Sequence, residues 1–151
     1  MKLMMIGLMI MASMMVVGCN TDATDNTGMT GNAVAAESEY VTIPLSGLSK
    51  DVKSYTFDDR GVEISYFAVL GSDGKPRTAF DACDVCGGYK GYQQKGSDIQ
   101  CRNCGRVFSI DGLGSKNKGY GCWPSHLPHE VEGNDILIKR DDIKAGRQRF
   151  A

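Results

Sequence analysis

The sequence offers little that hydrolytic, nucleotide or nucleic-acid chemistry would need. It has two histidines, no Ser/His/Asp arrangement and no glycine-rich phosphate loop, so neither hydrolase nor nucleotide chemistry has support. Its charge is nearly balanced, with 17 basic and 18 acidic side chains. Because there is no basic surplus, neither nucleic acid nor an anionic lipid surface is an expected partner.

Long apolar runs are also missing after the amino terminus. Residues 1–18 combine Lys2 with an uncharged apolar stretch that is too short for a comfortable membrane span and typical of a secretory signal. The stretch runs into VVGC at 16–19, which resembles the lipobox of bacterial lipoproteins, where the cysteine is acylated. We therefore predict a lipoprotein signal peptide at 1–18 and lipidation of Cys19. A plain signal peptide and an uncleaved anchor are the alternatives.

The leader lacks the paired arginines of a twin-arginine signal, so we expect the chain to be exported unfolded. Removal of 1–18 takes only Lys2 from the charged residues and leaves 16 basic against 18 acidic side chains. Residues 19–38 are mostly small and polar and predict a lipid-anchored flexible tether. Residues 39–151 suffice for one small domain, which would lie outside the cytoplasm at a bacterial cell membrane.

Short alternations of apolar and polar residues predict an α+β domain that is predominantly β. Pro44 indicates that the first strand is an edge strand, and turn residues at 59–61 and 72–75 predict hairpins. Residues 141–146 predict one helical turn with a glycine stop, and the glycine-rich residues 87–100 predict a loop leading into a short strand. Strands are predicted at 40–45, 52–57, 62–70, 77–80, 98–100, 106–110 and 135–139.

Five of the six cysteines lie between positions 83 and 122, and four of them form two Cys-x-x-C pairs, each followed by glycine. In such a turn the backbone curls around the first sulfur, N–H groups point at the thiolates, and glycine permits the positive φ that ends the curl. Two such turns supply the four sulfurs of an all-thiolate metal site. The predicted metal ligands are Cys83, Cys86, Cys101 and Cys104, with Cys122 as a further candidate.

Disulfides are the main alternative, because an exported chain meets an oxidising compartment. If Cys19 is acylated, however, five cysteines remain and cannot all pair, and small Cys-x-x-C rings are strained and usually redox-active. The sequence thus favours a metal centre over disulfides or a redox-active dithiol. Metal binding and cysteine oxidation can also coexist in one protein. Four thiolates suit zinc, single iron, Cu(I) or an Fe–S cluster. A chain that is exported unfolded cannot carry a cluster assembled inside the cell. This favours a metal ion, iron or zinc, that is acquired outside the cell, and an Fe–S cluster is the alternative.

Several polar residues near the cysteines have both an ordinary and a functional interpretation. Asp81 and Asp84 are predicted to stabilise the turn as hydrogen-bond acceptors, with cation guidance as the alternative. His126 and His129 are predicted to be surface or loop residues rather than ligands. Four basic residues are predicted to be solvated surface, with charge balance for the thiolates as the alternative: Lys90, Lys95, Arg102 and Arg106.

Four stretches together resemble one known family: AFDAC-x-x-C at 79–86, GYQ at 91–93, CRNCG-x-x-F at 101–108 and GC-x-P at 121–124. They resemble the FtrD-like membrane iron–sulfur-containing proteins, a family associated with bacterial iron-uptake systems. The resemblance covers roughly residues 40–150 and implies a cysteine-ligated metal or Fe–S centre with ferredoxin-like electron transfer beside an iron permease. Many members carry the domain after several membrane spans, whereas this chain reads as a lipoprotein. It also has Gly-Tyr-Gly at 119–121, where paired glycines are expected.

The resulting prediction is an extracytoplasmic lipoprotein with a metal or Fe–S centre, active in electron transfer or metal handling in support of iron uptake. It is expected to be an electron carrier or metal-binding protein rather than a catalyst. Its expected partners are the membrane, through the lipid, and the iron-permease system that the resemblance implies. Two alternatives stay open: a thiol–disulfide oxidoreductase that uses a Cys-x-x-C, and a structural-zinc module that binds a membrane partner.

Overall fold

The computed structural model describes residues 38–86, 89–119 and 121–151. The predictions of a signal peptide, of Cys19 lipidation and, up to residue 37, of a tether lie outside these residues. The described part is mostly β, with three antiparallel sheets and little helix, which confirms the predicted fold class. Its elements are β1 Tyr40–Pro44, β2 Lys53–Asp59, β3 Val62–Leu70, β4 Pro76–Cys83, β5 Tyr92–Lys95, β6 Asp98–Cys101, β7 Val107–Ser109, β8 Pro124–His126, β9 Glu130–Glu132, β10 Asp135–Lys139, α1 Arg140–Lys144 and 3-10 turns at Leu45–Gly47, Ile110–Gly112 and Arg147–Arg149.

The largest sheet has the order β2-β3-β4-β8 and is built from the two predicted hairpins. A two-residue turn joins β2 to β3, with Arg60 at φ 53° and Gly61 at φ 80°, the positive values that a tight hairpin turn needs. The β3–β4 turn is closed by the Gly71 N–H, which donates to the Lys75 carbonyl at 2.9 Å. β4 extends to Cys83, three residues beyond the predicted end of that strand.

Strand β3 separates two apolar cores, because alternate side chains of a strand point to opposite faces. Ile64, Tyr66 and Ala68 pack in the first core, as the alternation predicts for that face, together with residues of β1, β10 and α1. Phe67 and Val69 pack in the second core, which also contains Cys83 and Cys101. Of the aromatic residues of β2, β3 and β4, Tyr66, Phe67 and Phe80 are buried, and Tyr55 and Phe57 are half-buried.

A second sheet has the order β1-β10-β9, so β1 is an edge strand as Pro44 predicts. Helix α1 follows β10 directly and buries Ile143 in the first core. Gly146 follows the helix as predicted, but its φ is −80°, which any residue can adopt. Glycine is needed there because a Cβ would collide with the Phe80 ring.

The third sheet, β5-β6-β7, contains a strand in a region predicted to be a loop. In β5 only Tyr92 is buried, and the other three residues are exposed. No apolar alternation is therefore visible, and the loop prediction is wrong for β5. Gly96, at φ 65°, closes the β5–β6 turn. Strands β8 and β9 were also not predicted, because each has three residues and β9 buries none of them.

No helix in the three described ranges is long and apolar enough to cross a bilayer.

Candidate metal centre

The first cysteine pair begins where β4 ends. Cys83 is the last residue of that strand, is buried, and lies opposite Pro124 of β8. Beyond it, the Asp84 N–H donates to the Trp123 carbonyl at 3.0 Å. Because Cys122 immediately precedes this segment, the pairing of β4 with β8 brings Cys122 to the first cysteine pair.

Asp84 ties the same two segments together through its side chain. Its carboxylate accepts a hydrogen bond from the Ser125 hydroxyl at 2.5 Å and pairs with Arg149 at 3.5 Å. Arg149 in turn donates to the Ser125 hydroxyl oxygen at 2.7 Å. The acceptor role predicted for Asp84 is thus what these contacts show, and its partners come from β8 and the carboxyl-terminal 3-10 turn.

The second cysteine pair begins where β6 ends. Cys101 is buried, and its N–H donates to the Arg106 carbonyl at 2.9 Å. The Gly105 N–H donates back to the Cys101 carbonyl at 2.9 Å, and Gly105 has a φ of 74°. These contacts form a tight turn that returns the chain into β7. Gly87, the glycine after the first pair, lies outside the described residues.

Asp81 links the strand before the first pair to the sheet that carries the second. Its carboxylate accepts the Tyr92 N–H at 2.7 Å and the Tyr89 hydroxyl at 2.9 Å. Tyr92 lies opposite Cys101 in the β5–β6 ladder. A single carboxylate therefore sets the spacing between the ends of β4 and β6, where Cys83 and Cys101 lie.

Five sulfur atoms converge in this region from three separate segments. The sulfurs of Cys83, Cys86 and Cys122 lie within 4.8 Å of one another, and so do those of Cys86, Cys101 and Cys104. Cys122 Sγ is 3.5 Å from both Cys86 Sγ and Cys104 Sγ. All five are free thiols.

The separations within each group of three are close to those of sulfurs bound to one cation. Sulfurs bound tetrahedrally at about 2.3 Å from one ion are about 3.8 Å apart, whereas a disulfide bond is about 2.05 Å long. The four predicted ligands and Cys122 thus lie in two overlapping groups of three sulfurs that share Cys86, and neither group contains all four predicted ligands. The clustered thiols have the donor chemistry of a metal or Fe–S site.

The backbone favours negative charge on two of these sulfurs. Burial alone would raise the pKa of Cys83, but hydrogen bonds from the Val85 and Cys86 N–H groups lower it to about 7. A hydrogen bond from the Arg106 N–H lowers the pKa of the exposed Cys104. The pKa of Cys86 is raised, chiefly by hydrogen bonds with Cys122 and Cys83. An incoming cation would therefore displace a proton from Cys86, and its binding would depend on pH.

One side of the cluster is closed and the other is open. Cys83 and Cys101 are buried in the second core, whereas Cys104 is exposed. Trp123 closes part of the cluster edge, with its ring 5.7 Å from that of Phe108 and its Nε1–H donating to the Ser115 carbonyl. A partner molecule can thus reach the centre from the side of Cys104.

The four basic residues predicted to be surface are all exposed. Lys90 lines a cavity of about 410 Å³ that reaches Cys83, Cys86 and Cys101. Arg106 lines a second cavity, of about 420 Å³, that reaches Cys122. Lys90 and Arg106 therefore border the openings beside the sulfurs.

The two histidines are held by other parts of the fold. His129 Nδ1 lies 2.7 Å from the Thr78 hydroxyl, which itself donates to the Leu127 carbonyl. His126 is a half-buried residue of β8. Neither belongs to the two groups of close ligand atoms found among the described residues.

Two features of the site escaped the sequence-based predictions. One is the position of Tyr92 in the second core beside Cys83 and Cys101. The other is the contact of Asp81 with Gly91, whose φ is 73° and whose missing Cβ leaves room for the carboxylate. The Gly91-Tyr92 pair was visible in the sequence, but the partners of both residues lie on other strands.

A family model described as "Membrane iron-sulfur containing protein FtrD-like" matches residues 48–150. The chain belongs to the FtrD-like family. The match confirms the resemblance seen in the cysteine motifs and spans every cysteine of the cluster. No curated protein and no solved structure matches the chain significantly. The FtrD-like description names an iron–sulfur-containing membrane protein, and the clustered thiols fit a metal- or iron-related function.

Proposed function

We propose that this FtrD-like protein is an extracytoplasmic lipoprotein whose cysteine cluster holds a metal centre for electron transfer or metal handling in support of iron uptake. The observation that carries the proposal is the convergence of five free sulfurs, with adjacent sulfurs as close as 3.5 Å. The compact spacing and the family description support a metal-binding role. The membrane, through the lipid on Cys19, and an iron-permease system are the proposed partners.

The proposed ligands are Cys83, Cys86, Cys101 and Cys104, two from each turn. Cys83 and Cys101 end strands and are buried, so the sheets hold their sulfurs in place. Cys122 contacts one sulfur of each pair and is the residue that can replace a ligand. Because a tetrahedral ion takes four ligands, one of the five sulfurs remains outside the first coordination sphere of a single ion.

Iron is the proposed metal, as a single ion or as an Fe–S cluster. Iron bound by thiolates supplies a one-electron couple, whereas zinc in the same place would be structural only. The chain contributes N–H groups that stabilise thiolate charge on Cys83 and Cys104, and an apolar core behind Cys83 and Cys101. Cys104, at the exposed edge, is the proposed contact point for a redox partner.

Metal analysis and an absorption spectrum of the protein purified from its own exported compartment test this function. We expect stoichiometric iron and thiolate-to-iron absorption. The variants Cys83→Ser and Cys104→Ser should lose the metal. Val85→Ser is the matched control, because Val85 lies within the first turn, is 61% exposed and carries no ligand atom. Full metal occupancy in both cysteine variants would contradict the ligand assignment, and stoichiometric zinc would favour the structural-zinc module.

A thiol–disulfide oxidoreductase is the second candidate, supported by Cys104. This thiol is exposed, has a lowered pKa and lies 3.5 Å from Cys122. Its thiolate could attack a substrate disulfide and release one substrate thiolate; Cys122, as a thiolate, would then displace the second and form the Cys104–Cys122 disulfide. Metal-free protein with a titratable disulfide would favour this function over the proposed one.

A further inference from the structure

Tyr92 is held in a fixed orientation beside the cysteines. Only 8% of it is exposed, and its ring packs edge-on against Phe67 at 6.2 Å and Phe108 at 6.1 Å. Its N–H is bound by the Asp81 carboxylate, and its backbone pairs with that of Cys101. These contacts leave the ring little freedom to move.

The hydroxyl at the end of this ring is buried and has no hydrogen-bond partner in the described part of the chain. Buried tyrosine hydroxyls usually find a partner. Even the neighbouring Tyr89, which is 45% exposed, donates its hydroxyl to Asp81. The second core around Tyr92 also contains the sulfurs of Cys83 and Cys101. These sulfurs are candidate acceptors for this O–H group.

Cys83 and Cys101 are the buried cysteines of the second core that contains Tyr92. Burial raises the pKa of the Tyr92 phenol, and the nearby side chains of Cys83 and Cys101 raise it further. A tyrosine hydroxyl carries its proton at neutral pH and can donate it to a neighbouring sulfur. A neutral donor facing a thiolate is the arrangement in which an O–H···S hydrogen bond is strongest.

We propose that Tyr92 is a positioning residue of the metal centre, whose O–H donates a hydrogen bond to Cys83 Sγ when that sulfur is a metal ligand. The inference rests on the proposed function, since it assumes that Cys83 binds a metal. Hydrogen bonds to ligand sulfurs orient the ligand and draw electron density from it, which changes both metal affinity and redox behaviour.

Tyr92→Phe tests the role, because it removes only the hydroxyl. Co²⁺ is the probe, added to the full-length protein under reducing conditions and withdrawn by a competing chelator. We expect Tyr92→Phe to bind Co²⁺ about tenfold more weakly than the wild type, as loss of an outer-shell partner typically does, and to shift the sulfur-to-cobalt absorption band. Loss of the hydrogen bond should also lower the reduction potential of the iron form, so that the equilibrium constant for its oxidation rises several-fold.

Tyr55→Phe is the matched control. Its hydroxyl is also buried without a partner in the described residues, but Tyr55 packs against the first core, away from the sulfurs. It should leave Co²⁺ affinity and the absorption band unchanged. Without metal, Tyr92→Phe should be at least as stable as the wild type, because it removes an unpaired buried hydroxyl.

The outcomes separate the two proposals. If the wild type shows a sulfur-to-cobalt band and Tyr92→Phe has the same band and affinity, the role of Tyr92 is wrong and the proposed function stands. If the wild type shows no such band, both are overturned. If Tyr92→Phe folds poorly, 3-fluorotyrosine at position 92 decides the question, because it keeps the hydroxyl and makes it a stronger donor. A shifted Co²⁺ band is expected, and an unchanged band would overturn the inference.

Discussion

Gly91 shows how a residue without a side chain helps to join the two halves of the metal centre. Its φ is 73°, and the space that a Cβ would occupy is filled by the Asp81 carboxylate. The same carboxylate accepts the N–H of Tyr92, the next residue. Asp81 thus reaches the backbone of β5 only because position 91 is glycine.

Gly91→Ala should therefore lower the free energy of unfolding by about 2–3 kcal/mol. Roughly 1 kcal/mol comes from forcing alanine to a positive φ, and the rest from displacing a hydrogen-bonded carboxylate. Urea denaturation measures the loss. Gly96→Ala is the control, since Gly96 has a φ of 65° but open space around its Cα. This variant should lose only the roughly 1 kcal/mol that comes from the positive φ. Equal losses in the two variants would show that the Asp81 contact contributes nothing.

The residue scale also shows which parts of the site the sequence could predict. The Cys-x-x-C pairs are local patterns, so Cys83, Cys86, Cys101 and Cys104 could be selected from spacing alone. The contact of Asp81 with Gly91 and the burial of Tyr92 depend on how β4 packs against β5. No local pattern encodes that packing, so these residues were recognised only in the structure.

At the scale of elements, the carboxyl-terminal 3-10 turn is fastened to the first hairpin by an ion pair. Arg147 Nη1 lies 3.1 Å from the Asp59 carboxylate and also donates to the Asp59 carbonyl. Asp59 is only 6% exposed. Arg60 approaches the same carboxylate at 3.4 Å, but its side chain is 82% exposed. The two arginines thus make similar contacts in different surroundings.

Arg147→Met should destabilise the protein by about 1–3 kcal/mol, because it removes the closer and less exposed of the two arginines that pair with a buried carboxylate. Arg60→Met should cost less than about 1 kcal/mol, as exposed ion pairs do. Thermal or urea unfolding of both variants measures the difference. Comparable losses would mean that burial does not distinguish the two contacts.

The stability lost in Arg147→Met should also depend on pH. Burial opposes ionisation of Asp59, but hydrogen bonds from Arg60 and Arg147 lower its pKa below the ordinary value of 3.8. A lowered pKa stabilises the folded state above the unfolded value, and this contribution is lost as the pH falls through the folded value. The difference in free energy of unfolding between Arg147→Met and the wild type should therefore narrow below about pH 4. A difference that stays the same at low pH would argue against an ionic contribution.

The strands that could be predicted are those in which apolar residues alternate or run together along the sequence. β3 buries six consecutive residues and has the predicted bounds of 62–70. β5 buries one residue and β9 none, so hydrogen bonding to a neighbouring strand decides their structure. β8 has three residues, but its pairing with β4 brings Cys122 to the cluster. The short strands that complete the site are thus those with the weakest sequence signal.

At the scale of the whole molecule, a lipid on Cys19 is the proposed attachment that would hold the domain at the membrane, outside the cytoplasm. Cys19→Ser should abolish incorporation of labelled palmitate, because Cys19 is the proposed acylation site. Its metal content should stay unchanged, since the proposed ligands lie at 83–104. Palmitate labelling with metal analysis measures both. Cys122→Ser, a cysteine change far along the chain, should still incorporate palmitate. Palmitate incorporation that survives Cys19→Ser would contradict the lipid anchor.

The central claim is that the cysteine cluster binds a metal through its sulfur atoms. X-ray absorption at the metal edge, on protein purified from its own exported compartment, tests it most directly. The account predicts a shell of about four sulfur neighbours at about 2.3 Å from the metal. A metal surrounded by nitrogen and oxygen, or a metal-free protein with its cysteines joined as disulfides, would contradict it.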